Sequence, residues 1–241
     1  MITDNGEVAN KLGEHFSSIS STKRSKLFNR KKEKINITVN LNSGRYDSYN
    51  IRFSYKELVN ALSSTESTAP GEDAIVYEML KHLPENAKNF LLKTINRIWD
   101  TGILPKSWKL SLIIPVKKPN KNATDASSYR PIALTSCICK LMENMINVRL
   151  VWYLEKNNLI SPFQFGFRKN RSTLDPLLRL SNQIQQGFAN HKQTIGVFFD
   201  LEKAYDTTCR KGIIRELCEL GIKGNMLKFL KNFLTDRFYK S

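Results

Sequence analysis

The sequence predicts an α+β fold with many helices and few strands. Three observations lead there. Apolar residues recur every third or fourth position through several long segments, the period of a helix with one buried face. One short run, Ile195 to Phe199, is apolar or small throughout and ends on Asp200, as a buried strand with a carboxylate at its tip would. Pro70-Gly71, Pro84, Gly102 and Gly221 fall between the periodic segments, where turns belong.

The chain has 241 residues, enough for one sizeable core or for two lobes sharing one, and 41% are hydrophobic. It carries 38 Lys and Arg against 22 Asp and Glu, a formal charge of +16. That surplus favours a polyanionic partner, most simply a nucleic acid, over a merely basic solvated surface. The four cysteines are not spaced as a disulfide framework, no secretory leader opens the chain, and no apolar stretch approaches membrane-spanning length. The expected setting is therefore intracellular and reducing, nuclear or cytoplasmic, away from membranes. Cys137 and Cys139 are too close for a usual zinc-finger pair, with His15, His82 and His191 far off in sequence, so they read as buried thiols.

In chain order, residues 1–50 read as a basic, flexible linker, with Lys and Arg clustered over 23–34 and polar, Asn-rich sequence after them. Residues 51–241 read as one domain. Ser54 and Glu57 form a capping box ahead of Leu58, Ala61 and Leu62. Pro70-Gly71 marks a turn, and a short helix over 75–83 ends at Pro84. The next helix shows an apolar face of Ala87, Phe90, Leu91, Thr94, Ile95 and Ile98, and Gly102 stops it. Leu110 to Val116 suits a strand near an edge or end because of Pro115. A polar loop over 117–128 precedes apolar residues 130–134. Residues 140–154 predict a long helix with Leu141, Met145, Val148 and Trp152 inward, and residues 173–188 another. After the strand at 195–200, Ile213, Leu217 and Leu220 face inward on a helix closed by Gly221, and Met226 to Leu234 form the last.

Asp200 is the focus. A carboxylate behind an apolar run is costly to bury unless a cation or hydrogen bonds meet it. As a strand-tip ligand it suits Mg²⁺, which takes one or two protein carboxylates plus phosphate oxygens, with the Leu201 carbonyl placed to help. Equally, Asp200 suits the cap of a helix beginning near Glu202. Asp206 reads more simply as the start of a further helix.

The segment Phe198 to Asp206 resembles the first catalytic motif of reverse transcriptases from non-LTR retrotransposons. Tyr129 to Leu134 resembles their fingers motif, and Gln164-Phe-Gly-Phe-Arg168 the signature that follows it. Ala69 to Asp73 resembles the start of their polymerase domain, and Ile114 to Pro119 the strand before the fingers loop. The motifs come in the family's order and spacing over roughly residues 50–241, and the jockey-like elements of arthropods are the most similar subgroup.

The resemblance implies an incomplete right-hand polymerase, fingers and the first part of a palm. It implies a two-metal site for Mg²⁺ or Mn²⁺ built on Asp200 and the Leu201 carbonyl, with Tyr205 as the steric gate beneath the incoming sugar. Arg130, with Lys118 or Lys117, would brace the triphosphate. Gln164, Phe165, Gly166 and Arg168 would lie near the template and nucleotide pocket. Read without the resemblance, the two lysines are surface charges, Tyr205 is a core tyrosine, and Phe163, Phe165 and Phe167 are a packed corner. Implied partners are an RNA template, a DNA primer and deoxynucleotides; the oligomeric state is open.

The family pattern is not met everywhere. Thr68, Glu72 and Ala74 stand where Lys, Pro and Gly are usual, and Tyr205 where Phe is usual. The sequence has no adjacent pair of aspartates, which in the family completes the metal site. Residues 1–241 alone are therefore expected to be a truncated, inactive polymerase, with a non-catalytic nucleic-acid-binding remnant as the alternative.

Overall fold

The computed structural model describes residues 5–20, 47–201, 204 and 208–240. It divides into two units, one of residues 1–150 with 205–241 and one of residues 151–204.

In the first unit, α1 (Asn5–Ser20) is followed by α2 (Tyr55–Ser63), α3 (Tyr77–Lys81) and α4 (Glu85–Thr101). Then come β1 (Leu110–Lys117), β2 (Tyr129–Leu134), α5 (Cys137–Lys156, whose last turns belong to the second unit), α7 (Arg210–Glu219), α8 (Gly224–Phe233) and β3 (Phe238–Lys240). The helix α6 (Leu174–Ala189) belongs to the second unit.

The core is organised by residues 49–53, which lead out of a turn at 47–50 toward α2 and lie outside the sheet. The Asn50 N–H closes the turn onto the Asp47 carbonyl at 2.7 Å, and side chains meet the other bonded backbone groups. Arg149 of α5, 7% exposed, donates to the carbonyls of Tyr49, Ile51 and Arg52, and its guanidinium lies 3.9 Å from the Phe53 ring centroid. The same guanidinium forks onto Glu57 through Nε at 2.7 Å and Nη2 at 2.9 Å. Glu57 also closes the α2 capping box, accepting from the Ser54 N–H at 2.8 Å. One carboxylate thus starts a helix and satisfies a buried cation. Opposite, Asn96 of α4 accepts from the Phe53 N–H at 2.7 Å and donates to its carbonyl at 2.9 Å.

Asn50 joins this stretch to α8. It accepts the Met226 N–H at 2.9 Å and donates to the Lys223 carbonyl at 3.1 Å, while the buried Trp99 indole donates to the Asn50 carbonyl at 3.1 Å. Gly224, at φ +65°, is required here: a Cβ would stand 2.6 Å from Asn50 Nδ2. Phe53, Trp99 and Phe229 then pack ring to ring, with centroids 5.0 and 6.4 Å apart.

The sheet has the order β2-β1-β3. β1 and β2 are antiparallel from Leu112↔Leu134 to Lys117↔Tyr129, and β3 runs parallel to β1 over residues 110–112 only. Pro115 faces Pro131. The Lys118 N–H bonds the Ser128 carbonyl at 2.8 Å, so alternation makes the proline pair a non-hydrogen-bonded one. The missing N–H groups therefore cost this ladder nothing, and β3 ends before Pro115 would disturb it.

Several expectations need correction. Residues 5–20, placed in a flexible linker, form α1, and Leu12 and Phe16 on it are buried. The Tyr239 hydroxyl bonds the Gly13 carbonyl at 3.3 Å. Val8, Leu12 and Phe16 repeat every fourth residue, a signal too brief to stand out in polar sequence. The basic run at 23–34 lies outside the described residues. On α4, Phe90 is 72% exposed, and the core face is Leu91, Ile95, Ile98 and Trp99. On α5, Val148 and Trp152 are exposed because Arg149, a charged residue that periodicity assigns to solvent, takes the inward position.

The largest correction concerns residues 195–200. No strand forms there, and Ile195, Val197, Phe198 and Phe199 are 70% exposed or more. An apolar run becomes a strand only where neighbours take its backbone hydrogen bonds and cover its faces, and no described residue does so. Throughout described residues 151–201, no side chain is buried.

Replacing Arg149 by Ala should cost about 3 kcal/mol, the usual scale for breaking a buried ion pair, read as a lower urea midpoint. Burial pushes the Glu57 carboxyl up, but hydrogen bonds from Arg149 and Ser54 outweigh it and hold the group below its ordinary value of 4.5. This stabilisation is present above pH 4.5 and lost as pH falls through the lower folded value. Glu57→Gln should flatten the acid limb of stability against pH, as measured by urea unfolding across that range.

Candidate nucleotide and nucleic-acid contacts

The β1–β2 ribbon settles which cations share a face. Side chains alternate along a strand, and directly paired residues lie on the same side. Val116 pairs with Arg130, and Lys117 with Tyr129. Lys118 continues the ladder and so falls on the Arg130 face, with Lys117 on the other. Exposed Ile114, Val116 and Ile132 share the face of Arg130 and Lys118. Arg130 is exposed, without an ion-pair partner among the described residues. Lys118 Nζ donates to the Ser127 carbonyl at 2.7 Å across the turn Ala126–Ser128, an exposed contact that a stronger anionic acceptor can replace.

In the second unit the loop 161–168 is held by Arg168. Its guanidinium bonds Glu155 at 2.6 and 2.8 Å and donates to the carbonyls of Ser161 and Gln164 at 2.9 and 3.2 Å. Hydrogen bonding to Arg168 holds the Glu155 carboxyl below its usual range. The side chain is 11% exposed, so its donors face the protein. Phe167 (φ +59°) is 96% exposed, and Phe163 is 62% exposed under the Arg179 guanidinium at 4.1 Å. Phe165 is half-buried, with Arg171 at 5.9 Å. Gly166 is open: a Cβ there would meet nothing within 4 Å. The Gln164 side chain is exposed. Sequence reading missed Glu155, Arg171 and Arg179, which stand in no motif and acquire meaning only through the loop's return.

Asp200 and Leu201 are exposed on the extended segment, Leu201 at 77%. Tyr205 lies outside the described residues. Among those described, no three His, Cys, Asp or Glu side chains converge as a metal would need. The described residues therefore do not by themselves fit the metal pair that the family resemblance implies.

The cysteines of α5 are structural. Cys137 and Cys139 are buried, and the Cys139 thiol lies 3.0 Å from the Glu143 carboxylate. Burial, reinforced by Glu143, pushes that thiol up, and burial with the same neighbours raises Tyr77 to about 12. Among the described residues, no helix is long and apolar enough to cross a membrane.

The chain is thus helix-rich α+β, carries a formal charge of +16 and places Arg130 and Lys118 on one ribbon face. The chain belongs to the reverse transcriptase (RNA-dependent DNA polymerase) family, which it matches over residues 116–241. It is 33% identical over 171 residues to the RNA-directed DNA polymerase from mobile element jockey of Drosophila melanogaster, covering 71% of this chain and 19% of that protein. It is 33% identical over 183 residues to the probable RNA-directed DNA polymerase from transposon BS of the same fly, 76% and 20% of the two chains. With the Pol polyprotein from type-1 retrotransposable element R2 of Popillia japonica it shares 26% over 183 residues, 75% and 24% of the two chains. The motif resemblance and these matches agree on jockey-like non-LTR retrotransposons, and the chain spans about 20% of the length of the jockey-like relatives it matches.

Arg168→Ala should release the loop, read as several-fold faster chymotryptic cleavage at Phe163, Phe165 or Phe167 than in wild type. Equal cleavage rates would show that Arg168 does not hold it.

Proposed function

We propose that residues 51–241 are the fingers and the first part of the palm of a non-LTR retrotransposon polymerase that copies RNA into DNA. The carrying observation is the placement of Arg130 and Lys118 on one ribbon face, in a chain of this family. The primer 3′-hydroxyl oxygen attacks the α-phosphorus of a deoxynucleotide, the bond to the bridging oxygen breaks, and pyrophosphate leaves. Arg130 offers a planar fork to the triphosphate oxygens and Lys118 a point charge, together neutralising the departing phosphates. Lys117, on the opposite face, takes no part in that grip.

Gln164, Phe165 and Gly166 meet the template, and Arg168 positions their loop through Glu155 while making no phosphate contact itself. Tyr205 gates the sugar. Asp200 and the Leu201 carbonyl would hold a divalent metal ion that polarises phosphate oxygens, once further carboxylates joined them. The reaction runs inside the cell, in the nucleus or cytoplasm, where RNA template and DNA primer meet.

The charge of +16 favours a second reading for residues 1–241 taken alone: they hold nucleic acid without chemistry. Two-metal phosphoryl transfer needs several carboxylates, and the sequence has no adjacent aspartate pair.

Two outcomes are expected of the purified chain. Arg130→Ala and Lys118→Ala should each weaken deoxynucleoside triphosphate binding by about tenfold, the scale of one charge-assisted hydrogen bond, with Lys117→Ala unchanged in the same titration. In a primer-extension assay the chain should add no nucleotide. Extension that disappears in Asp200→Asn would show that these residues suffice for catalysis.

A further inference from the structure

The outer face of α4 carries groups that neither the family motifs nor the core use. A shallow groove of about 390 Å³ is lined by Arg52, Lys93, Asn96, Arg97, Asp100 and Thr101. Arg52 is held in place by Asp100, with Nη2 at 2.8 Å and Nε at 2.9 Å from the same carboxylate oxygen, yet its side chain stays 74% exposed. Lys93 and Arg97 are exposed and have no ion-pair partner among the described residues. They sit four residues apart, where like charges repel across a helix turn. Three cations against one carboxylate leave the groove positive.

The uncharged groups there offer little to read a base edge. The Asn96 amide is committed to both backbone groups of Phe53, and the Thr101 hydroxyl donates to the Arg97 carbonyl at 2.9 Å. Phe90 completes the face. It lies three residues before Lys93 and seven before Arg97, the spacing of one helix side, and is 72% exposed. Cations along a groove beside an exposed ring are the elements of a single-strand nucleic-acid platform: the cations meet phosphates and the ring stacks an unpaired base.

We propose that this face of α4 binds single-stranded RNA, its phosphodiester backbone against Arg52, Lys93 and Arg97 and one base stacked on Phe90. The proposal rests on the nucleic-acid reading of the chain given above. Phosphate contacts and a stacked ring position a strand without reading its sequence.

The test is fluorescence-anisotropy titration of the whole chain with a labelled single-stranded RNA over a range of salt concentrations. The Lys93→Ala/Arg97→Ala variant should bind more weakly and lower the slope of log K against log salt by about 1.4, at roughly 0.7 for each phosphate no longer neutralised. Phe90→Ala should weaken binding about tenfold with the slope unchanged, as removal of one stacked base does. A DNA strand of the same sequence should show the same fall in slope, since Lys93 and Arg97 touch phosphates and not the 2′-hydroxyl. Because all three side chains are exposed, wild-type urea midpoints are expected for both variants, and a lowered midpoint would mean these residues serve the fold. Strong wild-type binding with an unchanged slope in the double variant overturns the groove alone. Absence of salt-dependent RNA binding by the wild type overturns the nucleic-acid reading with it, and a slope change on RNA but not DNA overturns the assignment of the cations to phosphates.

Discussion

Residues 49–53 run from a turn to the start of α2 with no strand beside them, and their buried peptide groups must still find partners. Arg149, Asn96, Trp99 and Asn225 of α8 provide them. The other features of the first unit follow from that requirement. Glu57 must stay ionised to hold Arg149, so the cap of α2 and the anchor of α5 are one group. Position 224 must be glycine so that α8 can approach Asn50. Buried polar networks of this kind gain strength from low local dielectric only when every member is satisfied, and here the guanidinium spends its donors on one carboxylate and three carbonyls.

What was legible in the sequence was what depends on neighbours in the chain. The Ser54–Glu57 box, the Gly102 stop at φ +70° and the β1–β2 pair with its proline all form where local chemistry puts them. The misses arise where a distant residue decides. Arg149 looks like a surface charge until residues 49–53 need donors. Phe90 looks like core until α4 is rotated to bury Trp99. Residues 195–200 have strand composition, but a strand is a property of a pair, and no described residue pairs with them.

The site was legible in a similar degree. The motifs pointed to the family that the chain matches over residues 116–241, and the register then put Lys118 and Lys117 on opposite faces, which spacing alone left open. The role of Arg168 could not be read from its motif, because Glu155 lies thirteen residues back on another element. The cationic face of α4 belongs to no motif and emerges only when helix rotation and the placement of Arg52 are known.

The chain thus combines a unit built on a satisfied polar core with a segment around Asp200 that has no buried side chain. Hydrogen–deuterium exchange of the free chain tests this most directly. The amides of Phe53 and Met226, bonded to Asn96 and Asn50, should be among the slowest to exchange, while those of residues 195–201 exchange at close to their intrinsic rates. Slow exchange over 195–201, comparable with β1, would show a paired strand there and contradict this division.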